Sequence, residues 1–186
     1  MIRHPSSPPA LPNDPNKPLV LHSLNTVLGI GEWAVSNRPD EVLQTFALGS
    51  CVAVIFLHYP SRAVGMVHIS LPDSRINPAL AEERPGYFAD TGISIVLEAF
   101  QQLLGYGRDL KKGMVVKMAG GASVMDAQHT FKIGLRNSLA ARQILQERGL
   151  EPVAADVGGD FSRTVTVSLK TGQVQISRLG YPRVLL

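Results

Sequence analysis

The 186-residue chain has one cysteine, so no intramolecular disulfide can form and a disulfide-stapled secreted fold is excluded. It has no apolar run near the ~20 residues that a membrane-spanning helix needs. It has no N-terminal apolar segment followed by a small-residue cleavage site, so no leader is expected. Aromatics are sparse, at 6%, and no three basic residues are consecutive. A net charge of +3 therefore reflects a mixed solvated surface, not the basic stripe with interleaved aromatics of a nucleic-acid binder. His4, His22, His58 and His129 show no metal-ligand spacing with acids or with the cysteine, so neither metal nor other cofactor is expected.

What is present is a globular composition, 45% hydrophobic and 18% charged. A chain of this length buries roughly 70% of its unfolded surface and needs no staple. Residues 1–18 hold six of the thirteen prolines and read as a disordered arm. Residues 19–186 read as one domain. Residues 24–33 are ambiguous between strand and loop. Residues 45–48 are strand-like, Gly49-Ser50 interrupts, and residues 51–57 form a buried strand. Tyr59-Pro60-Ser61-Arg62 is turn chemistry and residues 64–71 return, which predicts a hairpin centred near residue 60 or 61. Asp90 or Thr91 is the expected cap of a helix carrying Ile93, Val96, Leu97 and Phe100. Asn137 or Ser138 is the expected cap of a second, with Leu139, Ile144 and Leu145 on its buried face. Strands are expected at residues 114–118, 153–157, 164–169 and 173–176. The alternation of Val165, Val167 and Leu169 with polar residues gives one sheet a polar face. Strands outnumber helices, so the expected class is α+β.

The lone cysteine, Cys51, follows Gly49-Ser50, where a glycine permits a tight turn just before the thiol. Backbone N–H groups at Ser50 and Cys51 are then candidates for an oxyanion site. A thiol becomes a useful nucleophile when a base or positive field lowers its pKa. In the predicted hairpin Cys51 lies opposite a residue near 69 to 71, which brings His68 within a pair or two as the candidate base. Thr45, on the preceding segment, is the candidate group to orient the imidazole, as the third member of a triad does. For each residue alone the commoner role is structural: a buried thiol, a satisfied core histidine, an ordinary strand threonine. Gly120-Gly121 and Gly158-Gly159 read as turns rather than anion cradles.

The ordered series Thr45-Phe46-Ala47-Leu48-Gly49-Ser50-Cys51, Val67-His68-Ile69-Ser70-Leu71-Pro72, Tyr87-Phe88-Ala89-Asp90-Thr91, Lys117-Met118-Ala119-Gly120-Gly121-Ala122, Ile133-Gly134-Leu135-Arg136-Asn137 and Ala155-Asp156-Val157-Gly158-Gly159 resembles the chemoreceptor glutamine deamidases called CheD. The resemblance implies Cys51 as nucleophile, His68 as base and Thr45 as orienting residue. It implies layered β-sheets and helices like the catalytic domain of cytotoxic necrotizing factor toxins. It further implies hydrolysis of glutamine side chains in methyl-accepting chemotaxis receptors to glutamate and ammonia, binding of a CheC-type phosphatase, and a cytoplasmic location. One departure is plain: the family usually has Gly-Arg after the late Gly-Gly pair, whereas here the run is Gly159-Asp160-Phe161-Ser162-Arg163. Two rival readings use the same residues. One is a glutamyl methylesterase or transamidase; the other is a non-catalytic docking module. A depressed Cys51 pKa favours catalysis, an ordinary one docking.

Overall fold

A computed structural model describes residues 2–3, 24–124 and 132–186. In chain order the elements are β1 (Ile2–Arg3), β2 (Leu24–Val27), β3 (Trp33–Ser36), β4 (Glu41–Leu48), β5 (Val52–His58), β6 (Ala63–Ile69), α1 (Pro78–Glu83), α2 (Ala89–Leu104), β7 (Met114–Gly120), α3 (Ile133–Glu147), β8 (Ala154–Val157), β9 (Arg163–Ser168), β10 (Val174–Ser177) and β11 (Val184–Leu185). The fold is α+β. A six-stranded sheet runs in the order β1-β3-β6-β5-β7-β8, and a five-stranded sheet in the order β11-β10-β9-β4-β2.

The two sheets and the helices make three layers. β5 is buried along its whole length because each face has a cover. Val52, Val54 and Phe56 point toward α2 and α3, where Ile93, Val96, Phe100 and Leu145 complete one core. Phe56 and Phe100 meet edge-on, 6.3 Å between ring centres. Ala53, Ile55 and Leu57 point the other way, onto Leu43, Leu48, Val165 and Val167 of the second sheet. The outer face of β9 is only half buried, as its alternating sequence predicts.

The hairpin forms with Tyr59–Ser61 as a 3-10 turn and Arg62 in the left-handed region at φ 54°. Its register pairs Val52 with Ile69 and Ala53 with His68. β4 carries a bulge between Thr45 and Leu48, with Ala47 at φ 54°. The extra residue turns both Thr45 and Leu48 inward while Phe46 and Ala47 face out.

Several expectations are corrected. α2 begins at Ala89, without a side-chain cap. Asp90 instead accepts hydrogen bonds from Ser74 N and Oγ, at 3.0 and 2.5 Å, and Thr91 donates to the Pro85 carbonyl. α3 begins at Ile133 after Lys132 in a left-handed conformation, so Asn137 and Ser138 lie inside the helix. Its buried face carries Gly134, Asn137, Ser138, Ala141 and Leu145, whereas Leu139 is 57% exposed. Of the arm at residues 1–18, only Ile2–Arg3 is described, paired antiparallel with β3; the rest lies outside the described residues.

Candidate active site

Thr45 and His68 come from different sheets and meet between them. Thr45 Oγ1 lies 2.8 Å from His68 Nδ1 and 2.7 Å from the Leu28 carbonyl oxygen. Both side chains are buried. The threonine has one proton, and the Leu28 carbonyl can only accept. If that proton went to Nδ1, two oxygen lone pairs would face each other at 2.7 Å, and Nε2–H would be buried without an acceptor. The arrangement that satisfies the Leu28 carbonyl, the hydroxyl and Nδ1 together has Thr45 donating to Leu28 and accepting from Nδ1–H. His68 Nε2 is then the bare nitrogen. It is buried and has no partner among the described residues, which is the state of a free base.

Burial depresses the His68 pKa from 6.5 to about 4; the Leu28 carbonyl and the Glu32 charge oppose this only in part. The ring is neutral at pH 7.

Cys51 sits one residue before β5. Continuing the register places it opposite Ser70, on the same strand face as Ala53 and diagonal to His68. Diagonal positions of this kind lie ~7–8 Å apart, within reach of a long or ring side chain. Cys51 is half-buried and lines a cleft of about 380 Å³ with Ala47, Gly49, Ser123, Ile133 and Ser162. Among the described residues no charged side chain lines this cleft. Thr45 and His68, both buried, do not line it.

The thiol departs from the simplest expectation. Burial pushes its pKa up from 9.0, and a hydrogen bond with the Ser70 side chain offsets this only partly. The resting pair is thus neutral thiol and neutral imidazole, not an ion pair.

The backbone around Cys51 is held on three sides. Gly121 N–H donates to the Cys51 carbonyl and Ala122 N–H to the Gly49 carbonyl, both at 2.7 Å. The glycine pair read as a simple turn has a closer role here. Gly120, at φ 112°, presses on the Cys51 carbonyl, and Gly121, at φ 64°, presses on Ser138; a β-carbon at either position overlaps its neighbour. Asn137 Nδ2 donates to the carbonyls of Ser50 (2.9 Å) and Ser70 (2.8 Å). The Ser50 and Cys51 N–H groups have no acceptor among the described residues.

Sequence reasoning missed Asn137, the Leu28 carbonyl and Ser70. Asn137 lay inside a recognised motif but was read as a helix cap, and the other two have no local signal. The departure at residues 160–162 acquires a physical role. Phe161 packs against Arg163 and Arg178, whose guanidinium carbons lie 4.3 and 4.4 Å from the ring centre. Both arginines bind Asp156, at 3.0 and 2.5 Å. The segment is anchored, and its Ser162 forms part of the cleft wall.

A family model described as CheD chemotactic sensory transduction matches residues 70–178. That segment begins just past His68. A probable chemoreceptor glutamine deamidase CheD from Syntrophotalea carbinolica is 47% identical, over 83% of this chain and 94% of its own length. One from Solibacter usitatus is 40% identical, over 86% and 92%. The chemoreceptor glutamine deamidase CheD of Thermotoga maritima is 33% identical, over 84% and 94%. Among solved structures, the Bacillus licheniformis hypothetical protein YfiH aligns with TM-score 0.40 and 13% identity, over 68% of this chain and 49% of that one.

Proposed function

The chain belongs to the CheD family, and from that premise we propose that it hydrolyses glutamine side chains of methyl-accepting chemotaxis receptors to glutamate, releasing ammonia. The observation that carries the reading is the Leu28–Thr45–His68 relay, which leaves Nε2 bare on the strand face that Cys51 shares. Thr45 is the orienting residue, His68 the base and Cys51 the nucleophile. As sulfur attacks the amide carbon, Nε2 takes the thiol proton, so that no preformed thiolate is required. The imidazolium then protonates the departing nitrogen, ammonia leaves, and a thioester remains. Water attacks the thioester, His68 takes its proton, and glutamate and the free thiol are regenerated. The Ser50 and Cys51 N–H groups serve the oxyanion, a role worth of order 3 kcal/mol where such donors act.

The deamidase domain spans residues 19–186, with residues 1–18 an appended arm of which Ile2–Arg3 adds an edge strand. With that substrate the proposed location is the cytoplasm. No helix of the described residues is long and apolar enough to cross a membrane. A CheC-type phosphatase is the proposed regulatory partner, tested by co-purification. The raised thiol pKa favours a second reading, a docking module without activity. A glutamyl methylesterase would use the same groups and release methanol in place of ammonia.

The experiment is incubation with a receptor cytoplasmic fragment, followed by peptide mass spectrometry. Gln→Glu conversion with ammonia release, absent in Cys51→Ala, supports the proposal. Conversion that persists in Cys51→Ala contradicts the mechanism. No conversion, with tight binding to the fragment, supports docking.

A further inference from the structure

The β5–β6 ladder ends at Val52–Ile69, one pair short of Cys51. Beyond it the strands part. The N–H groups of Ser70 and Leu71 turn to the Tyr87 carbonyl, and the Cys51 carbonyl turns to Gly121. Two carbonyls at the mouth, those of Ser50 and Ser70, are left without strand partners. Asn137 supplies both. It is fully buried within α3 and its single NH₂ bridges the two strands where the ladder no longer does. Because both neighbours are acceptors, the amide orientation is fixed: nitrogen toward the strands, oxygen away.

The bridge has two consequences at Cys51. It holds Ser70, the residue opposite, at the separation that lets its side chain bond the thiol. It also fixes the peptide between Ser50 and Cys51. In a trans peptide the N–H points opposite to the carbonyl, so tying the Ser50 carbonyl to α3 directs the Cys51 N–H away from Asn137, where it has no acceptor among the described residues.

We infer that Asn137 is a positioning residue of the deamidation site: it closes the hairpin mouth so that Cys51 keeps its place against Ser70 and presents its N–H away from α3. This rests on the proposed function for its catalytic consequence, while the placement of Cys51 is readable without substrate.

The test uses the full chain, in which Cys51 is the one cysteine, so alkylation by iodoacetamide reports on it alone. Asn137→Ala is compared with Leu145→Ala, a buried truncation on the same helix. In Asn137→Ala, kcat for ammonia release falls by about 10²-fold, as sub-ångström to ångström misplacement produces, with KM little changed. The pH midpoint of alkylation rises by about half a unit or more as the Ser70 bond is lost. Leu145→Ala lowers stability but leaves the midpoint and the kcat of the folded fraction in place. If Asn137→Ala does not fold, Asn137→Ser, with one donor for two carbonyls, is read the same way. Wild-type kcat, an unmoved midpoint, or the same changes in Leu145→Ala overturns the inference. A wild-type chain that releases no ammonia while the midpoint still moves overturns the deamidase reading and leaves the positioning of Cys51 standing.

Discussion

A threonine hydroxyl orients the imidazole here, where a carboxylate does so in a serine protease triad. A neutral hydroxyl adds no charge to stabilise an imidazolium, and burial already holds His68 near pKa 4. What Thr45 contributes is the tautomer. Replacing it by valine keeps the volume and removes the relay, leaving the buried Leu28 carbonyl and Nδ1–H without their shared partner. Thr45→Val is expected to lower kcat by 10-fold or more and stability by about 1–3 kcal/mol. Thr45→Ser keeps the hydroxyl and stays within a few-fold of wild type. Ammonia release and urea unfolding measure both. The pairing of Cys51 with a residue near 70 was legible in the sequence, because turn chemistry at residues 59–62 and a strand period of two fix a hairpin register. Thr45 was a candidate from its place on the preceding segment as well as from the family resemblance, but its contact with His68 has no local signal. It joins residues of two different sheets, and no local pattern encodes how sheets stack.

Helix starts were the least legible elements. Asn and Asp are strong cap residues, and Asp90 and Asn137 sit where caps belong. Each is drawn instead into a tertiary hydrogen bond, Asp90 to Ser74 and Asn137 to the strand carbonyls. Tertiary demand outweighed local preference, and the helices begin earlier. The glycine pair ending β7 was visible, but its purpose was not. Gly120 allows the end of β7 to lie against Cys51. Gly120→Ala forces a β-carbon into the Cys51 carbonyl at a φ of 112°. The expected result is a loss of more than about 2 kcal/mol and a kcat reduced by about 10²-fold. Thermal unfolding and ammonia release together check it; a variant as stable and active as wild type contradicts the packing described.

At the scale of the whole molecule, two sheets and a helical layer enclose groups that resist protonation. His68 is buried neutral, and His58 is depressed by burial as well. A histidine whose folded pKa lies below its unfolded value binds fewer protons than the unfolded chain between the two values, so stability rises with pH across that window. For His68 the window runs from about 4 to 6.5, and acidification through it costs of order 3 kcal/mol. Below it, Asp156, held down by Arg178 and Arg163, adds a loss of the same sign as its carboxylate protonates. Urea midpoints are expected to fall between pH 7 and pH 4.5, and His68→Gln is expected to flatten that slope. An unchanged slope in His68→Gln contradicts burial of a neutral ring.

The central claim is that His68 rests as the Nδ1–H tautomer with Nε2 bare. Nitrogen-15 chemical shifts of the imidazole read this directly. At pH 7 the expected spectrum shows a protonated Nδ1, an unprotonated Nε2, and no titration until the pH approaches 4; an Nε2–H tautomer, or an imidazolium at pH 7, rules this arrangement out.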